Sequence, residues 1–380
     1  MAKYGGKPVP FMSTALTQAD IDSATAVLKS GMLRAAKKCE ELESRFGAMS
    51  QAKHMMTCAN GTCALQLAYE PLFNPGDEIL VPAWSYIATV SMVVARGCVP
   101  VFVDALPDTL QIDVKDAARK VTRKTRGIAA THLYGNPVDI DAVQALAASA
   151  NLKVVYDCAQ AHLATYKGKG MGAFGDVVTY SFYATKNLGT GEGGAISCND
   201  DALARKIRLL RSHGETDKYL HESVGYNYRM NDITGAIGCS RLDRLESQTK
   251  QRQTNAARFD AMLTNLNKTL GSEAFTSVKT TPSATSAYHL YTMMIDTSRF
   301  KISRDEFCKA LGAEGVPTAV HYPRSLPNQP ALSAWNKHDC PVADSLSSKV
   351  FCLPMHHDLT EEHFNLIAEA MEKVAKAGMR

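Results

Sequence analysis

No stretch of this 380-residue chain approaches the roughly 18 consecutive apolar residues that a membrane-spanning helix needs, which argues against a membrane-embedded protein. The opening run Met1-Ala2-Lys3-Tyr4-Gly5-Gly6 has no apolar core of the kind a secretory signal carries. Long runs of like charge are also missing, and the net charge is only +4 at pH 7. The domain-wide basic stripe of a nucleic-acid-binding protein is therefore not expected. The one local cluster, Arg205, Lys206, Arg208 and Arg211, reads as a solvated helix face. Ten cysteines are present without the paired spacing of a zinc site, and the adjacent His356 and His357 make poor ligand geometry, so no metal is expected. Cys58, Cys98, Cys158 and Cys198 lie in apolar strand contexts, as reduced buried thiols do. Internal repeats and low-complexity tracts are lacking too. These absences point to a reduced, cytoplasmic, globular protein with no nucleic-acid or membrane partner.

What is present suffices for a sizeable core: 45% of the residues are apolar. The length suits two domains, expected at 1–246 and 247–380. Short apolar runs alternate with helical patterns from His54 to about Ser212. Strands are expected at His54–Cys58, Glu78–Val81, Val99–Val103, Gly127–Leu133 and Leu152–Tyr156, with a helix over Asp141–Ala150. Val177–Phe182 and Ala195–Cys198 read as further strands. This is the pattern of an α/β fold whose mostly parallel sheet is covered on both faces. A charged helix over about 231–259 leads to a smaller α+β domain. There, Thr276–Ser286 reads as a surface loop, Tyr288–Ile295 as a strand, Ser303-Arg304-Asp305-Glu306 as a capping box, and Glu361–Ala377 as the closing helix.

Ser181-Phe182-Tyr183-Ala184-Thr185-Lys186-Asn187 places one lysine just past a strand, with a small hydroxyl residue five positions before it. Such a lysine is often a solvated charge. It also suits a Schiff base with an aldehyde cofactor whose phosphate the serine holds. Pyridoxal 5′-phosphate further needs an acid for its ring nitrogen, an aromatic face and a phosphate cradle. Asp157 ends the strand Leu152–Tyr156 at the carboxyl edge of the sheet, where it could pair with a pyridinium or simply cap a helix. Asn60-Gly61-Thr62 opens an apolar helix after a strand, a place where backbone N–H groups meet anions. Trp84 and Tyr86 both offer an aromatic face, and core packing claims at least one of them.

These residues occur in order with Val101-Phe102-Val103-Asp104, His132-Leu133-Tyr134-Gly135, Asp157-Cys158-Ala159-Gln160-Ala161-His162, Gly225-Tyr226-Asn227-Tyr228-Arg229-Met230 and His321-Tyr322-Pro323. The chain thereby resembles the DegT/StrS-type sugar aminotransferases, fold-type-I pyridoxal phosphate enzymes, from about Gly5 to the last helix. The resemblance implies that Lys186 is the Schiff-base lysine and proton shuttle, and that Asp157 is the pyridinium partner. It places Gln160 near the ring hydroxyl, Tyr86 rather than Trp84 on the ring face, and Gly61, Thr62 and Ser181 at the phosphate. Asn227 matches a residue that reaches the phosphate of a neighbouring subunit, which implies a homodimer with shared sites. Some relatives carry histidine at the lysine position and are dehydratases, so Lys186 implies transamination in two half-reactions, ping-pong in kinetics.

The implied substrates are an amino donor, glutamate or else glutamine, and a keto or aldehyde sugar of amino-sugar or cell-surface polysaccharide biosynthesis, lipopolysaccharide included. Where the family usually reads Leu-Thr-Thr-Gly-Pro, this chain has Leu33-Arg34-Ala35-Ala36-Lys37-Lys38, which loses the glycine and gains cations. Arg34 or Lys37 could bind an anionic substrate. A nucleotide-linked hexulose would want such cations. So would a sugar acid, and one option is the 8-oxo sugar aminated to 8-amino-3,8-dideoxy-octulosonate. Arg229 is a candidate for the donor carboxylate, and His162, His321 and Tyr322 for sugar hydroxyls. Two remoter readings are a pyridoxal phosphate-binding regulator without turnover and an NAD-dependent dehydrogenase. Lys186, Asp157 and Gln160 stand intact against the first. For the second, Gly189-x-Gly191-x-x-Gly194 satisfies the dinucleotide pattern, but a strand-like run follows where a helix should open.

Overall fold

The computed structural model describes residues 8–337 and 339–380, so the N-terminal run read above for a targeting signal lies outside the described residues. Seven strands form the main sheet: β1 (His54–Cys58), β2 (Glu78–Pro82), β3 (Val99–Val103), β4 (Thr125–Thr131), β5 (Lys153–Asp157), β6 (Val177–Ser181) and β7 (Gly194–Cys198). Their order is β1-β7-β6-β5-β4-β2-β3. The run from β3 to β6 is parallel, while β7 lies antiparallel to both β6 and β1. Nearly every residue of these strands is buried, as expected when helices cover both faces.

The helices of this part are α1 (Gln18–Ser30), α2 (Lys37–Ser50), α3 (Gly61–Tyr69), α4 (Ala88–Ala95), α5 (Val114–Arg119), α6 (Ile140–Ala150) and α7 (Asp201–Arg211). Among the described residues no helix is long and apolar enough to cross a membrane, and no disulfide joins the ten cysteines. A 39-residue helix, α8 (Asp232–Leu270), then runs out of this body and across the 246/247 position. It extends eleven residues past the expected end at 259. The polar pattern past 259 hid it, because a buried polar residue there serves the smaller domain: Asn267 donates to the Phe275 carbonyl and accepts from the N–H groups of Ala274 and Phe275.

The smaller domain has a three-stranded antiparallel sheet, β8 (Phe275–Ser277), β9 (Tyr291–Ile295) and β10 (Val350–Leu353), in the order β8-β9-β10. It is packed by α9 (Arg304–Ala313) and α11 (Glu361–Gly378), whereas α10 (Pro341–Leu346) turns its first N–H groups to Asp104 after β3 and its Ala343 and Leu346 to the core of the main sheet. Phe259, Phe275, Phe300, Phe307 and Phe351 fill its core, joined there by Val9 from the N-terminal segment. The capping box at Ser303 and Glu306 forms. The expected loop at 276–286 is in part strand: its start pairs with β9, and Ala284–Thr285 pairs with Thr165–Tyr166.

Candidate active site

The carboxyl ends of the parallel strands deliver their side chains to one cavity of about 760 Å³. Its walls include Lys186, Asp157, Gln160, Tyr86, Ser181, Gly61, Thr62, His321 and Tyr322. That volume lies within the range of ligand pockets, roughly 300–1,000 Å³.

Asp157 is the last residue of β5 and is buried. Its Oδ2 accepts from Thr89 Oγ1 at 2.6 Å and its Oδ1 from the Ala159 N–H at 3.0 Å. Thr89 belongs to a hydroxyl cluster with Ser85 and Thr131. Burial pushes the Asp157 carboxyl above its ordinary range, against the pull of Thr89, the Ala159 amide and Lys186. Lys186 follows the tight turn after β6, where its own N–H donates to the Tyr183 carbonyl. Burial pushes its amine down to about 8, opposed by the Asp157 charge.

The α3 start is capped by Asn60, whose side chain accepts from the Cys63 N–H at 2.9 Å. Glycine at 61 answers a close approach: a Cβ there would stand 2.8 Å from Ser181 Cβ. Gly194 answers another, since a Cβ there would stand 2.5 Å from the Asn60 carbonyl carbon. Gly194 thus lets β7 and the α3 turn pack together. Gly194 opens a strand and not a helix, so the dinucleotide pattern has no helix N-terminus for a pyrophosphate.

Gln160 is oriented from both ends. Its Oε1 accepts from the Tyr134 N–H at 2.7 Å, and its Nε2 donates to Tyr322 Oη at 3.2 Å. Tyr86 lines the cavity and is 58% exposed, whereas Trp84 is buried and donates from Nε1 to Tyr134 Oη. Burial holds the His321 imidazole neutral, down to about 4.

Not every expected residue reaches this cavity. His162 is fully buried among Phe46, Tyr180 and Phe182 and does not line it. Its place in a core layer on α2 and β6 corrects the expectation of a sugar contact. Asn227 and Arg229 are exposed and outside the cavity of their own chain, while Tyr228 between them lines it and donates to Gln66. Arg34 and Lys37 are exposed on the segment entering α2. That segment is fixed by the buried Asp232, whose carboxylate accepts from the N–H groups of Ala36, Lys38 and Cys39. Thr89, Ser85, Thr131, His289 and Glu192 are additional groups that the motif reading missed. Thr89 could have been found from its position on the first turn of α4, three residues after Tyr86.

A half-buried lysine and a buried carboxylate at strand ends, sharing a cavity with a helix N-terminus, define a fold-type-I pyridoxal phosphate enzyme. Residues 14–372 match the DegT/DnrJ/EryC1/StrS aminotransferase family, and the chain belongs to it. It is 37% identical over 347 residues to the UDP-2-acetamido-2-deoxy-3-oxo-D-glucuronate aminotransferase of Pseudomonas aeruginosa, covering 91% of this chain and 93% of that protein. The structure of S. venezuelae DesV in complex with a ketimine intermediate superposes with a TM-score of 0.89 at 32% identity, over 97% of this chain and 99% of that one. The PLP form of the sugar aminotransferase Spr1654 from Streptococcus pneumoniae does so with 0.89 at 27% identity, over 97% and 99%. The protein is thus an aminotransferase, with pyridoxal 5′-phosphate as its cofactor.

Proposed function

We propose that this enzyme moves an amino group from glutamate to a keto sugar, with Lys186 as the proton-carrying residue. The observation that carries the reading is the cavity that gathers Lys186, Asp157, Gln160, Tyr86, Ser181 and the α3 turn. When bound, the cofactor supplies an aldehyde for amine exchange and a ring that delocalises the electron pair left at the substrate carbon. The residues fit that group. Asp157 is a buried carboxylate whose pKa burial has raised, and it would hold the protonated ring nitrogen of that group. The α3 turn with Gly61, Thr62 and Ser181 offers donors to a phosphate, and Tyr86 offers its face to the ring.

Lys186 holds the proton in this scheme. An amine brought down to about 8 has a free-base fraction near neutral pH, so its Nζ can take a proton from the donor carbon and return one to the acceptor carbon. His289 and His321, both kept neutral by burial, and Tyr322 form part of the wall around that exchange.

The acceptor carries an anion in this reading. Lys186 is the one lysine or arginine among the described cavity residues, so the anion's partners come from elsewhere. Arg34, Lys37 and Arg229 are exposed cations outside their own cavity, and a homodimer would supply them from the second subunit, with Asn227 at its phosphate. The hairpin Glu215–His221 leaves Tyr219 81% exposed, and Val224 on the segment that follows is 92% exposed, apolar side chains suited to a partner. Relatives favour a nucleotide-linked keto sugar. The 8-oxo form of 3-deoxy-octulosonate would place a carboxylate before the planar Arg34 fork, which favours it as a second reading. Both belong to cytoplasmic amino-sugar synthesis.

The test is the absorption spectrum of the holoenzyme before and after L-glutamate, followed by return of the visible band on adding a UDP-linked 3-keto sugar or the 8-oxo sugar acid. Conversion with glutamate and return with one sugar supports the reading and selects between the acceptors. A wild-type enzyme inert to both glutamate and glutamine ends it. Arg34→Ala and Lys37→Ala that leave KM for the accepted sugar unchanged end the role given to those cations.

A further inference from the structure

Tyr134 is buried in the left-handed backbone region, at φ 61° and ψ 5°. A bulky side chain persists there only where its surroundings over-determine it, and such residues gather at functional sites. The surroundings here are specific. The Tyr134 N–H donates to Gln160 Oε1 at 2.7 Å. Its hydroxyl accepts from Trp84 Nε1 at 2.8 Å and donates to the His321 carbonyl. Its own carbonyl accepts from the Leu290 N–H at 3.4 Å. Gln160 in turn donates to Tyr322 Oη.

These bonds close a ring: Tyr134 backbone, Gln160 amide, Tyr322, the adjoining His321 carbonyl, and back to the Tyr134 hydroxyl. Trp84, Tyr134 and Gln160 come from the sheet body, whereas His321 and Tyr322 come from the C-terminal part of the chain. Gln160, His321 and Tyr322 line the cavity, but neither Tyr134 nor Trp84 does.

We propose that Tyr134 is a positioning residue that locks the His321–Tyr322 wall to Gln160, and so sets the substrate-facing surface in register with the cofactor-facing one. This rests on the reading of the Lys186 cavity given above. The hydroxyl has one donor, spent on the His321 carbonyl, and its lone pair is taken by Trp84, so the arrangement is directional. Phenylalanine at 134 keeps the ring and the N–H to Gln160 but releases His321 and leaves Trp84 Nε1 buried without its acceptor.

The test uses the Tyr134→Phe holoenzyme with L-glutamate as the probe. The half-saturating glutamate concentration should rise roughly 5- to 20-fold, as for a lost hydrogen bond whose partner stays buried. The limiting rate and the position of the visible band should hold within about twofold, because Lys186 and Asp157 are untouched. Amide hydrogen exchange over residues 319–324 should accelerate while that over 183–189 does not. Trp84→Phe should move the same readouts in the same direction, and the double variant should be no worse than Tyr134→Phe, since both act through one chain of bonds. Unchanged exchange at 319–324, or additive losses in the double variant, overturns the proposal. So does a limiting rate that falls as far as the half-saturation constant rises. Failure of the wild type to react with glutamate would instead sink the donor assignment, and the exchange measurement would still decide the role of Tyr134.

Discussion

Asp157→Asn separates what the buried carboxylate does for chemistry from what it does for the fold. Asparagine keeps an oxygen for the Ala159 N–H at the 3.0 Å position of Oδ1. At Oδ2 an amide N–H replaces the acceptor, and Thr89 can reverse, accepting from Nδ2 and donating to Thr131 Oγ1 at 3.3 Å or Ser85 Oγ at 3.4 Å. The local packing therefore survives. Burial raises the Asp157 pKa. A carboxyl with a raised folded-state value contributes its stability below the ordinary carboxylate range and loses it as the pH rises through the folded value. Above that value the ionised group is a net cost to the cofactor-free protein, so there cofactor-free Asp157→Asn should melt at the same temperature as wild type or higher. Chemistry should go the other way. Removing one partner of a buried charge pair costs about 3–5 kcal/mol, or about 10²- to 10⁴-fold in rate at 1.36 kcal/mol per decade. The assay is the single-turnover rate of band conversion with L-glutamate, beside a thermal melt of the cofactor-free protein. A loss below about tenfold in a fully loaded variant would refute the pairing of this carboxylate with the ring.

Capture of pyridoxal phosphate by the cofactor-free protein needs the Lys186 free amine, whose pKa burial lowers to about 8. The capture rate should climb about tenfold per pH unit below that value and level off above it, and a rate still climbing near pH 10, as for a solvated lysine, would contradict the burial argument. Gly61→Ala forces a Cβ to 2.8 Å from Ser181 Cβ. Overpacking of about 1–3 kcal/mol at the cradle should weaken cofactor binding roughly 5- to 150-fold, read by equilibrium titration, and an unchanged dissociation constant would remove that turn from the phosphate site. His162→Phe should leave half-saturation for both substrates within about twofold, because the ring packs against Phe46, Tyr180 and Phe182 away from the cavity. A selective rise for the sugar would put His162 back in contact with it.

Much of the fold was legible because its cause is local. Short apolar runs with helical patterns between them can be buried only as a two-sided sheet, and β1 and β3 fall where the sequence reading places them. Capping chemistry is local too, so Asn60 and Ser303 announce their helices. The reading failed where long-range partners override the local pattern. The reading ends α8 eleven residues early, where Asn267 spends its amide on the backbone of Ala274 and Phe275 beside the smaller sheet. β4 stops at Thr131 and not 133 because Tyr134 turns left-handed to serve Gln160 and His321.

The sequence by itself determined the chemistry: a lysine after one strand, an acid at the end of another, and a glycine turn opening a helix, in the order the family requires. Those residues are placed by their covalent neighbours and by the strand ends that carry them. Only the tertiary structure decided that His162 is core. It alone gave Asp157 its hydroxyl partner and Lys186 its lowered pKa, because burial and hydrogen-bond geometry belong to surfaces brought together from distant parts of the chain.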